Sequence, residues 1–258
     1  MEAVPASPIA PPTLTLRTVR DSRRGMTREV TIGAVRLGRR PVVVAAGGEA
    51  DLHALETAPG DVVELRADLF DQPDRATVEA ALGRLRAARR QIIFTARAAA
   101  EGGRAMPEER RADLYRAALP LVDAIDLEIA SADLAAELVP RARSAGRTVI
   151  LSAHDFAATP ARDALVTLVD RGRHLGADLA KLATLTTTLD DLRTLLEVTL
   201  ATRVGGVVTL GMGTLGPLSR LILPAAGSLL TYGAAGHGTA PGQTVAADLA
   251  AEIRRLFP

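Results

Sequence analysis

The chain has 258 residues, 48% hydrophobic and 24% charged, the balance of an ordinary globular protein long enough to bury a core unaided. It has no cysteine, which excludes disulfides, thiolate chemistry and cysteine-based metal sites. Its 31 basic and 30 acidic residues leave a net charge of +1, and aromatics make up only 2% with no tryptophan, so neither general nucleic-acid affinity nor base stacking is expected. No apolar run approaches the ~20 residues that span a bilayer, and the N-terminus shows no basic-then-apolar signal pattern; the expectation is a soluble cytoplasmic protein without membrane attachment.

Residues 1–25 carry Pro5, Pro8, Pro11 and Pro12 among small residues, then a basic stretch. They read as a poorly ordered extension, with a structured arm as the alternative. REVTIGAV followed by RLGRR reads as a two-strand hairpin. From there short β-branched runs recur, starting near Val42, Val62, Ile92, Ala124, Val149, Leu179, Val207 and Leu229. Their spacing, about 27 residues, is that of one strand-plus-helix unit. The runs are nearly continuous in apolar residues, as parallel strands buried on both faces should be. Helical patterns lie between them, for example at 74–90, 107–120 and 132–146, several opening on Asp, Ser or Thr and closing near Gly. Eight such units close a (β/α)8 TIM barrel, giving an α/β fold in one domain over residues 26–258, with the hairpin placed to plug the barrel's bottom. A doubly wound sheet is the alternative, but AAGGEA after the first strand is a weak phosphate loop.

Barrel enzymes carry their chemistry where the strands end. The polar residues there are Glu64, Arg66 and Asp68, then Arg97 with Glu101, Asp126 and Glu128, His154 with Asp155, and Lys181, followed by Met212, Tyr232 and the loop GHGTAPGQ. Lys181 stands out as the sole lysine, the other 30 basic residues being Arg, and it lies within an apolar strand. It reads either as a structural lysine reaching a carboxylate, or as a Schiff-base nucleophile whose pKa is lowered by apolar surroundings and nearby cations. The exclusive use of Arg elsewhere favours the second. His154 ends a strand beside Asp155, and is either a packed histidine or a proton shuttle for that lysine. His53 and His174 fall at polar helix positions and His237 in a glycine-rich loop, a spacing that does not gather a zinc site. Arg66, Arg97 and Arg220 suggest an anion clamp at the mouth, although each singly suits a salt bridge, and GMGTLG could form a phosphate-binding turn. Glu64, Asp126 and Glu128 are suited to orient His154, to hold Arg97 or to bind substrate hydroxyls.

The segments ELRADLF (64–70), FTARAAAEGG (94–103), DLEI (126–129), SAHDF (152–156), ADLAKLA (177–183), GMGTLGPLSR (211–220) and APGQ (240–243), in this order, resemble the type I 3-dehydroquinases. The resemblance covers the chain from about residue 27. It implies a lyase of the shikimate pathway, in aromatic amino acid biosynthesis, that dehydrates 3-dehydroquinate to 3-dehydroshikimate by syn elimination, as a homodimer needing no metal or cofactor. It further implies that Lys181 forms the imine and that His154 removes the C2 proton and then protonates the leaving hydroxyl, oriented by Glu101 and Asp126. Glu64 and Arg66 would contact ring hydroxyls, with Arg97 beside them in the substrate-binding set; Arg220 and, from a lid loop, Gln243 would hold the carboxylate; Met212, Phe156 and Tyr232 would line the pocket. The sequence departs from the family pattern at Ala45 and Thr239, which stand at substrate-contacting positions where serine is usual, and at Ala153, where asparagine is common. Two rivals are a Schiff-base barrel of another kind, such as a class I aldolase, and a non-catalytic ligand-sensing barrel.

Overall fold

The computed structural model describes residues 29–240 and 242–258, so the expectation for residues 1–25 lies outside the described residues. A small antiparallel hairpin, β1 (Thr31–Ile32) and β2 (Val35–Arg36), comes first. Both strands lie within TIGAVR, so the second strand expected at RLGRR is displaced: Leu37 instead donates its N–H back to the Val30 carbonyl at 3.0 Å, and the rest leads into the barrel. The hairpin is fixed to the barrel's lower end by Ala34 N–H on the Gln91 side-chain oxygen (2.9 Å) and by the Thr148 hydroxyl on the Thr31 carbonyl. Ile32 is fully buried in the cluster that fills the barrel interior.

Eight strands then alternate with eight helices. The strands are β3 (Val42–Gly47), β4 (Val62–Arg66), β5 (Ile92–Thr95), β6 (Ala124–Glu128), β7 (Thr148–Asp155), β8 (Leu179–Leu185), β9 (Val207–Met212) and β10 (Leu230–Ala234). The helices are α1 (Leu52–Thr57), α2 (Arg75–Ala87), α3 (Glu108–Ala118), α4 (Ala132–Ser144), α5 (Arg162–His174), α6 (Leu189–Thr202), α7 (Gly216–Ala226) and α8 (Ala246–Leu256). All neighbouring strands pair in parallel, from β10 beside β3 round to β9. The remaining seam, β9 to β10, is closed by Leu229 N–H on the Val207 carbonyl (3.0 Å). Thr209 N–H there turns to the Ser228 hydroxyl (3.0 Å), and Arg220 reaches Gly211 and Tyr232 carbonyls on the two strands. These side chains satisfy backbone groups that a longer ladder would have used.

The expected caps hold at two helices. Asp74 accepts from Thr77 N–H at 2.8 Å before α2, and Thr188 from Asp191 N–H at 3.2 Å before α6. α2 stops at Ala87, short of residue 90, since Arg89 takes a left-handed conformation (φ 56°).

Strand alternation divides the apolar residues in two. Along β3, Val42, Val44 and Ala46 face the barrel interior with Met212 and Tyr232. Ala45 belongs to the layer between strands and helices, packed with Leu52, Leu55 and Val63. The substrate contact expected at Ala45 is therefore corrected: a period of two turns its methyl away from the interior, and Ala46 occupies the inward position.

Candidate active site

The ends of the barrel strands enclose a cavity of about 500 Å³. Lys181, in the middle of β8, enters it from below and is only 3% exposed. Its surroundings are not the apolar ones expected. Nζ donates to Asp126 at 2.8 Å, lies 4.0 Å from Glu64, and sits 4.2 Å from the centre of the Tyr232 ring. A buried ammonium is tolerable in such company because a carboxylate and an aromatic face both compensate it.

Asp126, at the centre of β6, is fully buried yet stays ionised: burial opposes its charge, but Arg97, Lys181 and His154 outweigh it and hold the carboxyl well below the usual carboxylate range. It was expected to orient the histidine. Its hydrogen bonds go elsewhere, to Lys181 and, through its other oxygen, to Arg97 (3.0 Å) and the Ser152 hydroxyl (2.6 Å).

His154, near the end of β7, lines the same cavity. Among the described residues its hydrogen-bond partner is Glu101: one carboxylate oxygen accepts from the His154 backbone N–H and meets ring Nδ1, both at 2.9 Å. That pattern places the ring proton on Nδ1 and leaves Nε2 with its lone pair. Burial, then the charges of Arg97 and Lys181, push the imidazole well below its ordinary pKa, so it is neutral and ready to accept a proton. Glu101 is shifted the other way. Burial, aided by Glu128 and Asp126 and opposed by Arg97, raises its carboxyl to about 7.

Two glycines make this placement possible. Glu101 ends a single turn (Ala99–Glu101) that must reverse at once. Gly102 does so with φ +83°, where a Cβ would also strike the Phe156 ring at 2.5 Å; at Gly103 a Cβ would fall 2.0 Å from the Arg97 carbonyl. The segment EGG thus presses Glu101 against His154 and seats Phe156, which is 40% exposed, at the rim.

The arginines divide by partner. Arg66 forms a two-pronged pair with Asp68 (2.9 and 2.8 Å). Arg97 spans Asp126, Glu128 (2.9 Å) and Ser152 (2.7 Å), and these acids keep it charged against the cost of burial. Arg220 differs. It is 2% exposed, and its guanidinium donates only to the carbonyls of Tyr232 (2.8 Å), Gly211 (2.7 Å) and Gly216 (2.9 Å). With no carboxylate against it among the described residues, burial lowers its pKa to about 10. It forms a charged wall of the cavity. In the GMGTLG turn the N–H groups of Gly211 and Gly216 are taken by the Ser219 hydroxyl (2.9 Å) and the Gly213 carbonyl (3.0 Å), and their carbonyls by Arg220.

Over the mouth, Thr239 donates to the Gln243 side-chain oxygen from its backbone N–H (2.7 Å) and its hydroxyl (2.9 Å). The loop's base is tied to Asp51, whose Oδ1 accepts His237 N–H (2.9 Å) and meets its ring Nδ1 (3.0 Å). Glu64, Met212 and Tyr232 also line the cavity. No group of His, Asp and Glu suited to a metal ion occurs among the described residues.

The supporting groups were not read from the sequence. Arg111 on α3 is 4% exposed, pairs with Glu128, and donates to the Ala96 carbonyl at 2.8 Å. Tyr115, one turn later, accepts from Ala96 N–H (3.0 Å) and donates to the Asp126 carbonyl (2.6 Å). Their i, i+4 spacing in an otherwise polar stretch was the available sign. The Glu64 carboxylate accepts from Thr95 at 2.5 Å.

A family model described as type I 3-dehydroquinase matches residues 45–255. The 3-dehydroquinate dehydratase of Methanococcoides burtonii is 36% identical over 224 residues, covering 84% of this chain and 95% of its own. That of Klebsiella pneumoniae is 38% identical over 210 residues, covering 76% and 83%. Among solved structures, the Clostridium difficile type I 3-dehydroquinate dehydratase, determined with covalently modified comenic acid, superposes with a TM-score of 0.82 at 30% identity, over 90% of this chain and 98% of that one. With the family's model matched across the whole catalytic face and the cavity built around Lys181 and His154, the chain belongs to the type I 3-dehydroquinases.

Proposed function

We propose that this lyase dehydrates 3-dehydroquinate to 3-dehydroshikimate through an imine on Lys181, with His154 as the single acid–base group. The observation that carries this reading is the pair itself: one buried lysine and one neutral imidazole lining one cavity, beside an arginine with no carboxylate partner among the described residues. Residues 26–258 act as one domain in this reading.

The Lys181 nitrogen adds to the substrate ketone and the carbonyl oxygen departs as water, leaving an iminium. That cation draws electrons from the adjacent carbon and makes the C2 proton acidic enough for His154 Nε2 to remove. The C2–H bond pair becomes the enamine π bond, which then expels the C1 hydroxyl as His154 returns its proton to it. A positioned acid–base group of this kind supplies about 10²–10⁴-fold. Water hydrolyses the imine and releases product. Glu101 supports the imidazolium that forms between the two proton transfers. Asp126 holds the Lys181 amine. Arg220 and the Gln243 amide take the substrate carboxylate, and Glu64 and Arg66 the ring hydroxyls. Met212, Phe156 and Tyr232 shape the walls. The reaction serves aromatic amino acid biosynthesis in the cytoplasm, and the enzyme works as a homodimer, as members of its family do.

Borohydride added with 3-dehydroquinate should leave the reduced ligand's mass on Lys181 and nowhere else. Lys181→Ala should lose both adduct and turnover, whereas His154→Ala should keep the adduct and lose turnover. Turnover retained in either variant overturns the assignment. The aldolase alternative predicts carbon–carbon cleavage instead of a rising enone absorbance, and a sensing barrel predicts no turnover at all.

A further inference from the structure

The Tyr232 hydroxyl is buried, lies in a cavity-lining residue, and has no hydrogen-bond partner among the described residues. The other polar side chains around it are engaged. Lys181 is held by Asp126, Arg66 by Asp68, Glu64 by Thr95, His154 by Glu101, and Gln243 by Thr239. Two other buried side-chain atoms lack a partner among the described residues, Arg90 Nε and Arg173 Nε, and neither residue lines the cavity. A buried hydroxyl without a partner is destabilising, so its retention calls for a partner that arrives with the ligand.

The position of the ring says which ligand atom. Arg220 Nε holds the Tyr232 backbone carbonyl at 2.8 Å, so the end of the residue nearest the proposed carboxylate site is its main chain. The side chain runs from there into the barrel interior and passes beneath Lys181, whose Nζ lies 4.2 Å from the ring centre. The carbon that Lys181 attacks must come to Nζ, and it brings its oxygen with it. We propose that the Tyr232 hydroxyl donates a hydrogen bond to the ketone oxygen of the substrate while Lys181 bonds to the ketone carbon, making Tyr232 a catalytic residue of imine formation. In that step one Lys181 ammonium proton passes along its hydrogen bond to Asp126, the freed nitrogen lone pair forms the C–N bond and the carbonyl π pair withdraws onto oxygen; Asp126 returns the proton when the carbinolamine loses water. The surplus proton on nitrogen then passes to that oxygen, giving a neutral carbinolamine. The hydroxyl supplies a hydrogen bond and keeps its proton, because burial, reinforced by the negative charges of Glu64 and Asp126, pushes the phenol well above its ordinary pKa.

The inference rests on Lys181 as the imine-forming residue, and one experiment separates the two. Rapid-quench borohydride trapping with 3-dehydroquinate is run on the wild-type enzyme and on Tyr232→Phe, which keeps the aromatic face under Nζ and removes only the hydroxyl. Loss of one donor to a developing oxyanion costs roughly 10²–10³-fold in a closed site, and a water admitted in place of the hydroxyl recovers part of that, so trapping should slow at least about tenfold. The melting temperature should be unchanged or higher, since the lost hydroxyl has no partner in the resting enzyme. Slower trapping with an intact fold supports the assignment. Trapping slowed by less than about threefold overturns it, as does a fall in melting temperature that accounts for the loss. A wild-type enzyme that traps no adduct overturns the lysine assignment and this one with it.

Discussion

Glu101→Gln separates charge from shape beside the histidine. The glutamine side chain keeps an oxygen able to accept from His154, but it cannot ionise. In the native protein burial lifts the carboxyl to about 7 from an ordinary 4.5. That gap of about 2.5 units corresponds to roughly 3 kcal/mol. A raised value means that folding favours the protonated form, so this contribution is fully present below pH 4.5 and is lost as pH rises through about 7. The native enzyme should therefore lose about 3 kcal/mol of stability between about pH 4.5 and 8 through this group, and the variant should not. Activity runs the opposite way, because only ionised Glu101 stabilises the imidazolium, so kcat/KM should climb through about pH 7. Two unit charges about 4 Å apart attract by about 4 kcal/mol at an effective dielectric constant near 20. With half of the charge developed in the transition state this becomes about 2 kcal/mol, or roughly 30-fold in rate. Rates from enone absorbance across about pH 5–9, with urea midpoints at both ends, read the two effects together. A limb near pH 7 that persists in Glu101→Gln, or a variant less stable than native at about pH 8, refutes the reasoning.

Arg97→Met should be costly to the fold itself, since it leaves Asp126 and Glu128 as buried acids short of a partner; about 3–5 kcal/mol is expected from urea unfolding. Thr239→Ala removes one of the two donors that hold the Gln243 oxygen; at about 0.5–1.5 kcal/mol, KM should rise roughly 2- to 10-fold, while trapping at saturating substrate stays unchanged.

The barrel was legible because buried parallel strands betray themselves as short apolar runs at a regular spacing. Lys181 was legible for the same reason, as the sole lysine of the chain set within such a run. What escaped was whatever depends on contact across the barrel. Asp126 lies 55 residues from Lys181, and no local pattern says that its oxygen goes to that amine and not to His154. Ala45 and Ala46 stand in VVVAAG, where no polar residue marks which face is inward, so a shift of one residue went unseen and it turns the side chain to the wrong layer. The hairpin slipped likewise, since RLGRR supplies charges and a glycine but no alternation to fix its register. Tyr232 looked like wall because its hydroxyl is defined by the absence of a partner, which only the assembled site reveals.

The charges at the mouth bear on substrate choice as a set. Arg66, Arg97, Arg111, Lys181 and Arg220 are all buried cations, and the buried acids among them are Glu64, Asp68, Asp126 and Glu128. Pairing follows the hydrogen bonds: Arg66 with Asp68, Arg97 and Arg111 on Glu128, Lys181 with Asp126 and near Glu64. Arg220 is left over among the described residues. A ligand with one carboxylate completes this set, whereas a neutral cyclic ketone would enter a site that keeps an uncompensated buried cation. A dianionic phosphate ester would overfill it by one charge and also lack donors, because the carbonyls of Gly211 and Gly216 that face Arg220 repel phosphate oxygens. The surplus of a single cation thus favours a monocarboxylate over the phosphorylated substrates typical of aldolases. Competition assays should show carboxylated cyclohexanones inhibiting and their methyl esters failing to, with the difference abolished in Arg220→Met. Equal inhibition by acid and ester in the native enzyme would show that the leftover charge does not select the substrate.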